Sequence, residues 1–291
     1  GARGAYQVGV LKAITEISLE NGNPRPFEIV TGFSAGAVNA YYWASHADDV
    51  KKASEKLVEY WSNLSSSRIF HTDIFSLGWI GLQWILELLL GKIFYPDRPR
   101  SLLDTSPLYE LVRQYGSQEL VQKNIEEGAI RGLGITAVDY HTSNSVTFVQ
   151  GAPDIELWTR TRRISRKMPI SPAHIMASAA IPIFFPATYV QDRFYGDGSL
   201  RNSAPLSPAI HMGAEQLIII SVRKQRTIQS PPPASNRQPT FGKILGSMMN
   251  SLLMDAIDAD VERLSRINKT ISLIPESEKR DSVLKPIEYI W

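Results

Sequence analysis

The sequence contains no cysteine, which excludes disulfide bonds and thiolate metal sites and is compatible with a reducing or an oxidising compartment. The formal net charge is only +2 over 291 residues, and the basic residues are not massed at either end. A balance this close to neutral gives no reason to expect a nucleic acid partner. No internal repeat is evident, and no signal-peptide pattern is visible in these residues. Because Gly1 stands inside a glycine-rich motif, we expect a further segment upstream of it.

The sequence also lacks a long apolar run without charge. A transmembrane helix needs about 20 apolar residues with no charge at the centre. The most apolar region, residues 74–95, carries Glu87 and Lys92, so a membrane span is disfavoured there. Two interpretations stay open for residues 74–95, a buried cap helix or a helix that lies at a lipid interface.

What is present is typical of a globular protein with a substantial core, because 43% of the residues are hydrophobic and 21% are charged. The length predicts a single domain spanning residues 1–291. Short apolar runs alternate with helical spacing, which predicts an α/β fold with a mainly parallel central sheet flanked by helices. Residues 224–240 are rich in Pro, Ser, Gln and Asn and predict a mobile loop. Predicted strands cover 27–31, 131–139, 145–149, 193–195 and 217–222. A first predicted helix includes residues 10–17, and further predicted helices begin near 35, 50 and 241.

A G-x-S-x-G pattern lies between a predicted strand and a predicted helix. It runs from Gly32 through Ser34 to Gly36, the context that a nucleophile elbow requires. The turn brings backbone close to the serine, so small residues are needed on either side. The elbow also places Ser34 at a helix N-terminus, where free N–H groups favour developing negative charge. Ser34 is therefore the candidate nucleophile.

A second glycine-rich element precedes the first helix, from Gly1 through Arg3 and Gly4 to Ala5. Unobstructed backbone N–H groups there suit an oxyanion hole or a phosphate cradle. The P-loop pattern does not match, since no lysine stands where it is required. An oxyanion hole is the better interpretation.

A serine nucleophile needs a base, and the best candidate is Asp197 between Gly196 and Gly198. The two glycines allow the carboxylate to stand clear of its neighbours, although an Asp-Gly turn is common. None of the five histidines has flanking glycines of this kind. The alternative of a Ser-His-Asp triad requires a histidine after the acid, and only His211 follows Asp197.

The densest basic cluster is a candidate for contact with anionic lipid headgroups, each cation contributing about 1 kcal/mol near such a surface. A solvated helix face is the alternative. The cluster runs from residue 160 to residue 167 and contains Arg160, Arg162, Arg163, Arg166 and Lys167.

Taken in order, these elements resemble the patatin-like phospholipase family: a glycine-rich loop, a G-x-S-x-G and a distant Asp-Gly. The segments 177–182, 184–186 and 202–205 are also similar, and the likeness covers nearly the whole chain. It implies a three-layer α/β sandwich whose sheet is mainly parallel. Two departures stand out: the family's first strand does not precede Gly1, and Ser199 occupies a position where many members carry glycine.

The resemblance implies that Ser34 attacks an acyl ester, that Asp197 accepts its proton, and that backbone N–H groups of Gly1, Arg3 and Gly4 bind the oxyanion. No metal or cofactor is implied. The expected substrate is a phospholipid or other lipid, cleaved by phospholipase A or lysophospholipase activity in the cytoplasm or at a membrane surface. Alternatives are a catalytically silent lipid-binding or regulatory protein, an acyltransferase, and an α/β-hydrolase with a Ser-His-Asp triad.

Overall fold

The computed structural model describes residues 4–65, 69, 103–221, 238–240, 242–244, 246–247, 256–274 and 285–291. The helices described are α1 (Gly4–Glu20), α2 (Ala35–Ser45), α3 (Val50–Ser62), α4 (Ser106–Tyr115), α5 (Gln118–Glu126), α6 (Pro172–Ala179), α7 (Ser207–His211) and α8 (Ala256–Ser272). The strands described are β1 (Ile29–Gly32), β2 (Gly132–Asp139), β3 (Ser145–Gly151), β4 (Thr159–Arg160), β5 (Arg163–Lys167), β6 (Thr188–Val190), β7 (Arg193–Gly196), β8 (Gln216–Ile218) and β9 (Glu288–Ile290). A short 3-10 turn covers Gly198–Arg201.

Seven of these strands form one sheet in the order β4-β5-β3-β2-β7-β6, with β1 also paired to β2. The pairs β1–β2 and β3–β5 are parallel, whereas β2–β3, β2–β7, β4–β5 and β6–β7 are antiparallel. The expectation of a mainly parallel sheet is therefore wrong for the described residues, where the sheet is mixed. Part of the cause is local, since β2–β3, β4–β5 and β6–β7 join consecutive strands, and short connections favour antiparallel hairpins. The fourth antiparallel pair, β2–β7, joins strands that are distant in sequence.

Both faces of the central strand β2 are covered, which confirms the predicted α/β class with a sheet between helices. Leu133, Ile135 and Ala137 of β2 belong to a core cluster that also contains residues of α2, α4, α5 and α6. On the opposite face, Gly132 and Gly134 leave room for Met212, whose side-chain atoms would lie 2.8 and 3.1 Å from Cβ atoms added at the two glycines. Met212 follows α7, which packs with α8 in a second core cluster.

Local sequence signals explain the helices that support the site. In α3, the buried residues Val50, Ala53, Leu57 and Tyr60 recur at helical spacing, and the Asp49 carboxylate caps the first turn by accepting from Lys52 N at 3.0 Å. The predicted starts of helices at 35 and 50 are confirmed.

Among the described residues, no helix combines the length and the apolar character that crossing a bilayer requires.

Most predicted strands are found, and one differs in its role. The predictions for 131–139, 145–149 and 193–195 agree with β2, β3 and β7. The predicted strand 217–222 is the short β8, which pairs with β9 in a separate two-stranded sheet. The predicted cap or interfacial segment 74–95 lies outside the described residues, as does the predicted loop 224–240 apart from its last three residues.

Candidate active site

The turn between β1 and α2 has the geometry of a nucleophile elbow. Ser34 adopts φ 51° and ψ −128°, a strained conformation for a residue with a side chain, which costs about 1–3 kcal/mol. A Cβ atom on Gly32 would lie 2.3 Å from the Gly36 carbonyl oxygen, so glycine is obligatory there. At Gly36 an added Cβ would meet nothing closer than 3.9 Å, so the expected backbone crowding acts on Gly32 alone.

The turn that carries Asp197 is packed against the middle of the sheet. A Cβ atom on Gly198 would lie 2.1 Å from the Thr136 carbonyl oxygen and 2.9 Å from the Cβ of Phe33, the residue before Ser34. A Cβ on Gly196 would instead meet the hydroxyl end of the Tyr140 side chain at 2.2 Å. The two candidate catalytic turns are therefore in direct contact next to Asp197.

The register of the sheet explains why these turns meet. Gly32, the last residue of β1, pairs with Ile135 of β2, and Gly196, the last residue of β7, pairs with Val138. Because β1 runs parallel to β2 and β7 runs antiparallel, their carboxyl ends face each other along the same edge of β2. Ser34 and Asp197 consequently leave the sheet at one point, although 163 positions separate them in the sequence.

The Asp197 side chain is fully buried, and its two carboxylate oxygens differ in their hydrogen bonds. Its Oδ1 accepts from Ser199 N at 2.8 Å and from Ser199 Oγ at 2.5 Å. Within the described part of the chain, Oδ2 has no hydrogen-bond partner. Burial raises the pKa of Asp197, and the Ser199 donors and the nearby Ser34 hydroxyl offset only part of that increase. The Ser34 hydroxyl thus acts on the Asp197 carboxylate while Oδ2 has no hydrogen-bond partner among the described residues, so Oδ2 is free to take a proton.

Comparison with known proteins decides the family. A family model described as patatin-like phospholipase matches residues 1–210. The chain belongs to the patatin-like phospholipase family. Membership places this patatin-like chain in a family of lipid acyl hydrolases. Among solved structures it is similar to VipD from Legionella pneumophila, with 11% identity and a TM-score of 0.39, covering 100% of this chain and 59% of that one. No curated protein matches.

The histidines that the structure describes in this patatin-like chain make their contacts outside the candidate dyad. His211 stacks on Trp158 with ring centroids 5.0 Å apart, and burial together with Arg160 and Arg163 lowers its pKa. Of the four histidines that the structure describes, none donates to or accepts from Ser34 or Asp197. A triad through His211 has no support in this geometry.

The predicted oxyanion loop is described only at its end, since Gly1 and Arg3 lie outside the described residues. Gly4 opens α1, and its carbonyl accepts from Asn39 Nδ2 at 3.3 Å. The same buried amide donates to Gln7 Oε1 and accepts from Trp61 Nε1 at 2.8 Å. Asn39 therefore joins α1, α2 and α3, and it ties the end of the glycine-rich loop to the helix that begins after Ser34.

Sequence reasoning missed three groups that surround the candidate dyad. In the sequence Ser199 stands out only as a departure from glycine, yet it supplies both donors to Asp197 Oδ1. Ser178 belongs only to a segment similar to the family, yet its hydroxyl accepts from Ser34 N at 3.0 Å. The N–H of Ala35, at the start of α2, has no acceptor within the helix. The nucleophile-elbow pattern could have identified this N–H, because the residue after the nucleophile supplies an oxyanion donor in such a turn.

The basic cluster lies on strands rather than on a helix. Arg166 Nη1 donates to Tyr195 Oη at 3.4 Å, and Lys167 Nζ donates to two backbone carbonyls. Both cations are held by hydrogen bonds within the protein, Arg166 partly buried and Lys167 exposed. Arg160, Arg162 and Arg163 lie on and beside the turn between β4 and β5, and in the part of the chain that the structure describes they form no ion pair with a carboxylate.

The raised pKa of Asp197 predicts an acid limb in the pH profile of activity. A base must be ionised to accept a proton, so kcat/KM for a soluble ester such as p-nitrophenyl butyrate should fall as the pH drops through that pKa. The midpoint is expected above the ordinary value of 3.8. Ser199→Ala should move it higher, because the charged form loses a hydroxyl donor.

His211→Ala is the matched control for this profile and should leave the midpoint unchanged. A midpoint at or below the ordinary value, or one that moves with His211→Ala, contradicts the assignment of Asp197 as the base.

Proposed function

We propose that this chain is a phospholipase A or lysophospholipase that cleaves fatty acyl esters through a Ser34–Asp197 dyad. The observation that carries the proposal is the meeting of the two turns on one edge of β2, with Asp197 Oδ2 buried and unpartnered among the described residues. A serine beside a desolvated carboxylate of raised pKa has the partner it needs to lose its proton.

The reaction proceeds in two halves. Ser34 Oγ attacks the acyl carbonyl carbon while its proton passes to Asp197 Oδ2. The bond to the lipid alcohol then breaks, and Asp197 returns the proton to the leaving oxygen, which leaves an acyl-enzyme. Water attacks that ester with Asp197 as base, and Ser34 is released together with the free fatty acid.

Backbone N–H groups supply the oxyanion hole in this proposal. The donors are those of Gly4 and of Ala35, supported by the position of both residues at helix N-termini, and those of Gly1 and Arg3 in the preceding loop. Developing negative charge is stabilised there by the free N–H groups and by the helix dipoles.

Contact with a membrane surface is also proposed, through the turn between β4 and β5. Arg160 and Arg162 are exposed, and neither they nor Arg163 form an ion pair with a carboxylate of the described residues, although Arg163 acts on Asp260 at longer range. Such cations attract anionic headgroups. The apolar segment 74–95 is the second proposed contact, and together they make the protein a peripheral one.

Fatty acid release from mixed phospholipid vesicles is the test. With a chelator present, mass spectrometry should detect free fatty acid and the matching lysophospholipid in amounts that grow with time. Vesicles containing anionic lipid should be hydrolysed faster than neutral ones, and salt should remove the difference.

The Ser34→Ala protein on the same vesicles is the control, and an added acceptor alcohol separates hydrolysis from acyl transfer. Vesicle binding without any released fatty acid would overturn the proposal in favour of a lipid-binding or regulatory role. Acyl transfer to the alcohol in place of release would identify an acyltransferase.

A further inference from the structure

The C-terminal end of α6 contacts both candidate catalytic turns. Ser34 N donates to Ser178 Oγ at 3.0 Å and to the Ser178 carbonyl at 3.2 Å. Two residues further along, the Ala180 carbonyl accepts from Asp197 N at 2.9 Å. One short segment thus holds the backbone of the nucleophile and the backbone of the base.

The Ser178 hydroxyl is itself anchored to the central strand. Its Oγ donates to the Thr136 carbonyl at 2.6 Å, and the side chain is fully buried. Because a carbonyl can only accept and the Ser34 N–H can only donate, the direction of both hydrogen bonds is fixed. The oxygen of the same Thr136 carbonyl would overlap with a side chain at position 198. Ser178 therefore connects the elbow to the point on β2 where the Asp197 turn packs.

The strained backbone of Ser34 needs support of this kind. A residue with a side chain at φ 51° persists only when its surroundings determine that conformation. Ser34 N lies between the end of β1 and the first turn of α2, where neither element offers it an acceptor. The acceptors that the structure provides both belong to Ser178.

We propose that Ser178 is a positioning residue, which holds Ser34 in its strained conformation and fixes its placement relative to Asp197. The inference rests on the proposed dyad chemistry for its effect on rate. The hydrogen bonds on which it depends do not rest on that chemistry, so they can be tested separately. A serine that only fills space in the core would stabilise the fold and leave the reaction unchanged.

Ser178→Ala tests the effect on rate. We expect kcat on the vesicle substrate to fall about 100-fold with little change in KM, because a displacement of about 1 Å at the nucleophile has an effect of that size. The rate of covalent labelling of Ser34 by a fluorophosphonate should fall in parallel. Ser45→Ala is the matched control, since Ser45 is also buried, donates to the Tyr41 carbonyl and accepts from Ser117 N. That variant should keep wild-type kcat and labelling.

Amide hydrogen exchange of the peptide covering residues 33–37 tests the hydrogen bonds without activity. Exchange at the Ser34 amide should be faster in Ser178→Ala than in the wild type and unchanged in Ser45→Ala. Equal exchange and equal labelling in Ser178→Ala would overturn the positioning role. A wild-type protein that neither releases fatty acid nor reacts with the fluorophosphonate overturns the proposed function instead, and the exchange result still decides the role of Ser178.

Discussion

Replacing Ser34 by alanine or Asp197 by asparagine should each lower fatty acid release by about 10,000-fold or more. Alanine lacks the nucleophilic hydroxyl. Asparagine has an amide nitrogen in place of Oδ2, and that nitrogen cannot accept the proton of Ser34. The two losses should not add in the double variant, because both residues act in the same steps. Mass spectrometry of the released fatty acid and fluorophosphonate labelling measure the effect.

Asp197 should also differ from an ordinary buried carboxylate in its effect on stability. Because the folded-state pKa of Asp197 is raised above the unfolded value, the carboxyl favours folding while protonated, and this contribution is lost as pH rises through the folded pKa. At neutral pH the charged carboxylate is a cost to folding. Asp197→Asn should therefore unfold at the same temperature as the wild type or at a higher one.

Asp139 provides the matched control for this variant. Burial raises the pKa of Asp139, but donors from His141, Thr142 and Arg193 outweigh it and the pKa is lowered. Its contribution to stability is thus present at neutral pH, and Asp139→Asn should lower the melting temperature while most release remains. If Asp197→Asn instead melts lower and keeps activity, Asp197 is a structural residue and the dyad is wrong.

Adding one methyl group at Gly198 should lower both the activity and the stability of the protein. The new Cβ would lie 2.1 Å from the Thr136 carbonyl oxygen, which belongs to the backbone of the central strand and cannot move aside. We expect Gly198→Ala to lower kcat about 100-fold through displacement of Asp197. Unfolding in denaturant should show a loss of about 3 kcal/mol.

Gly196→Ala is the control on the other side of Asp197. The obstacle there is the hydroxyl end of Tyr140, a side chain that is 44% exposed and can rotate away. This variant should keep most activity and most stability. Equal losses in the two variants would show that flexibility around Asp197 matters, rather than the close approach to Thr136.

Much of the candidate site follows from local sequence. Gly32 and Ser34 lie where a short apolar run changes to helical spacing. The small residues that so tight a turn requires all lie within the five-residue motif. Gly196, Asp197 and Gly198 likewise signal a tight turn after a strand. Such patterns can be interpreted from sequence because the atoms that constrain them lie a few residues away.

The tertiary structure alone decides how these turns are joined. The role of Ser178 depends on a hydrogen bond across 144 residues, and no local pattern separates it from any buried serine. The orientation of Arg166 toward Tyr195 is equally nonlocal. The mixed sheet depends on which strands become neighbours, and periodicity within one strand carries no information about its partner.

The sequence by itself determined the two candidate catalytic turns, the α/β class and the family resemblance, because each depends on short-range spacing and on the steric limits of glycine and serine. Only the tertiary structure decided that the two turns meet at Thr136, that Ser199 orders one oxygen of Asp197, and that Ser178 holds Ser34. Those outcomes require strands and helices distant in sequence to pack together, and the packing depends on the whole core.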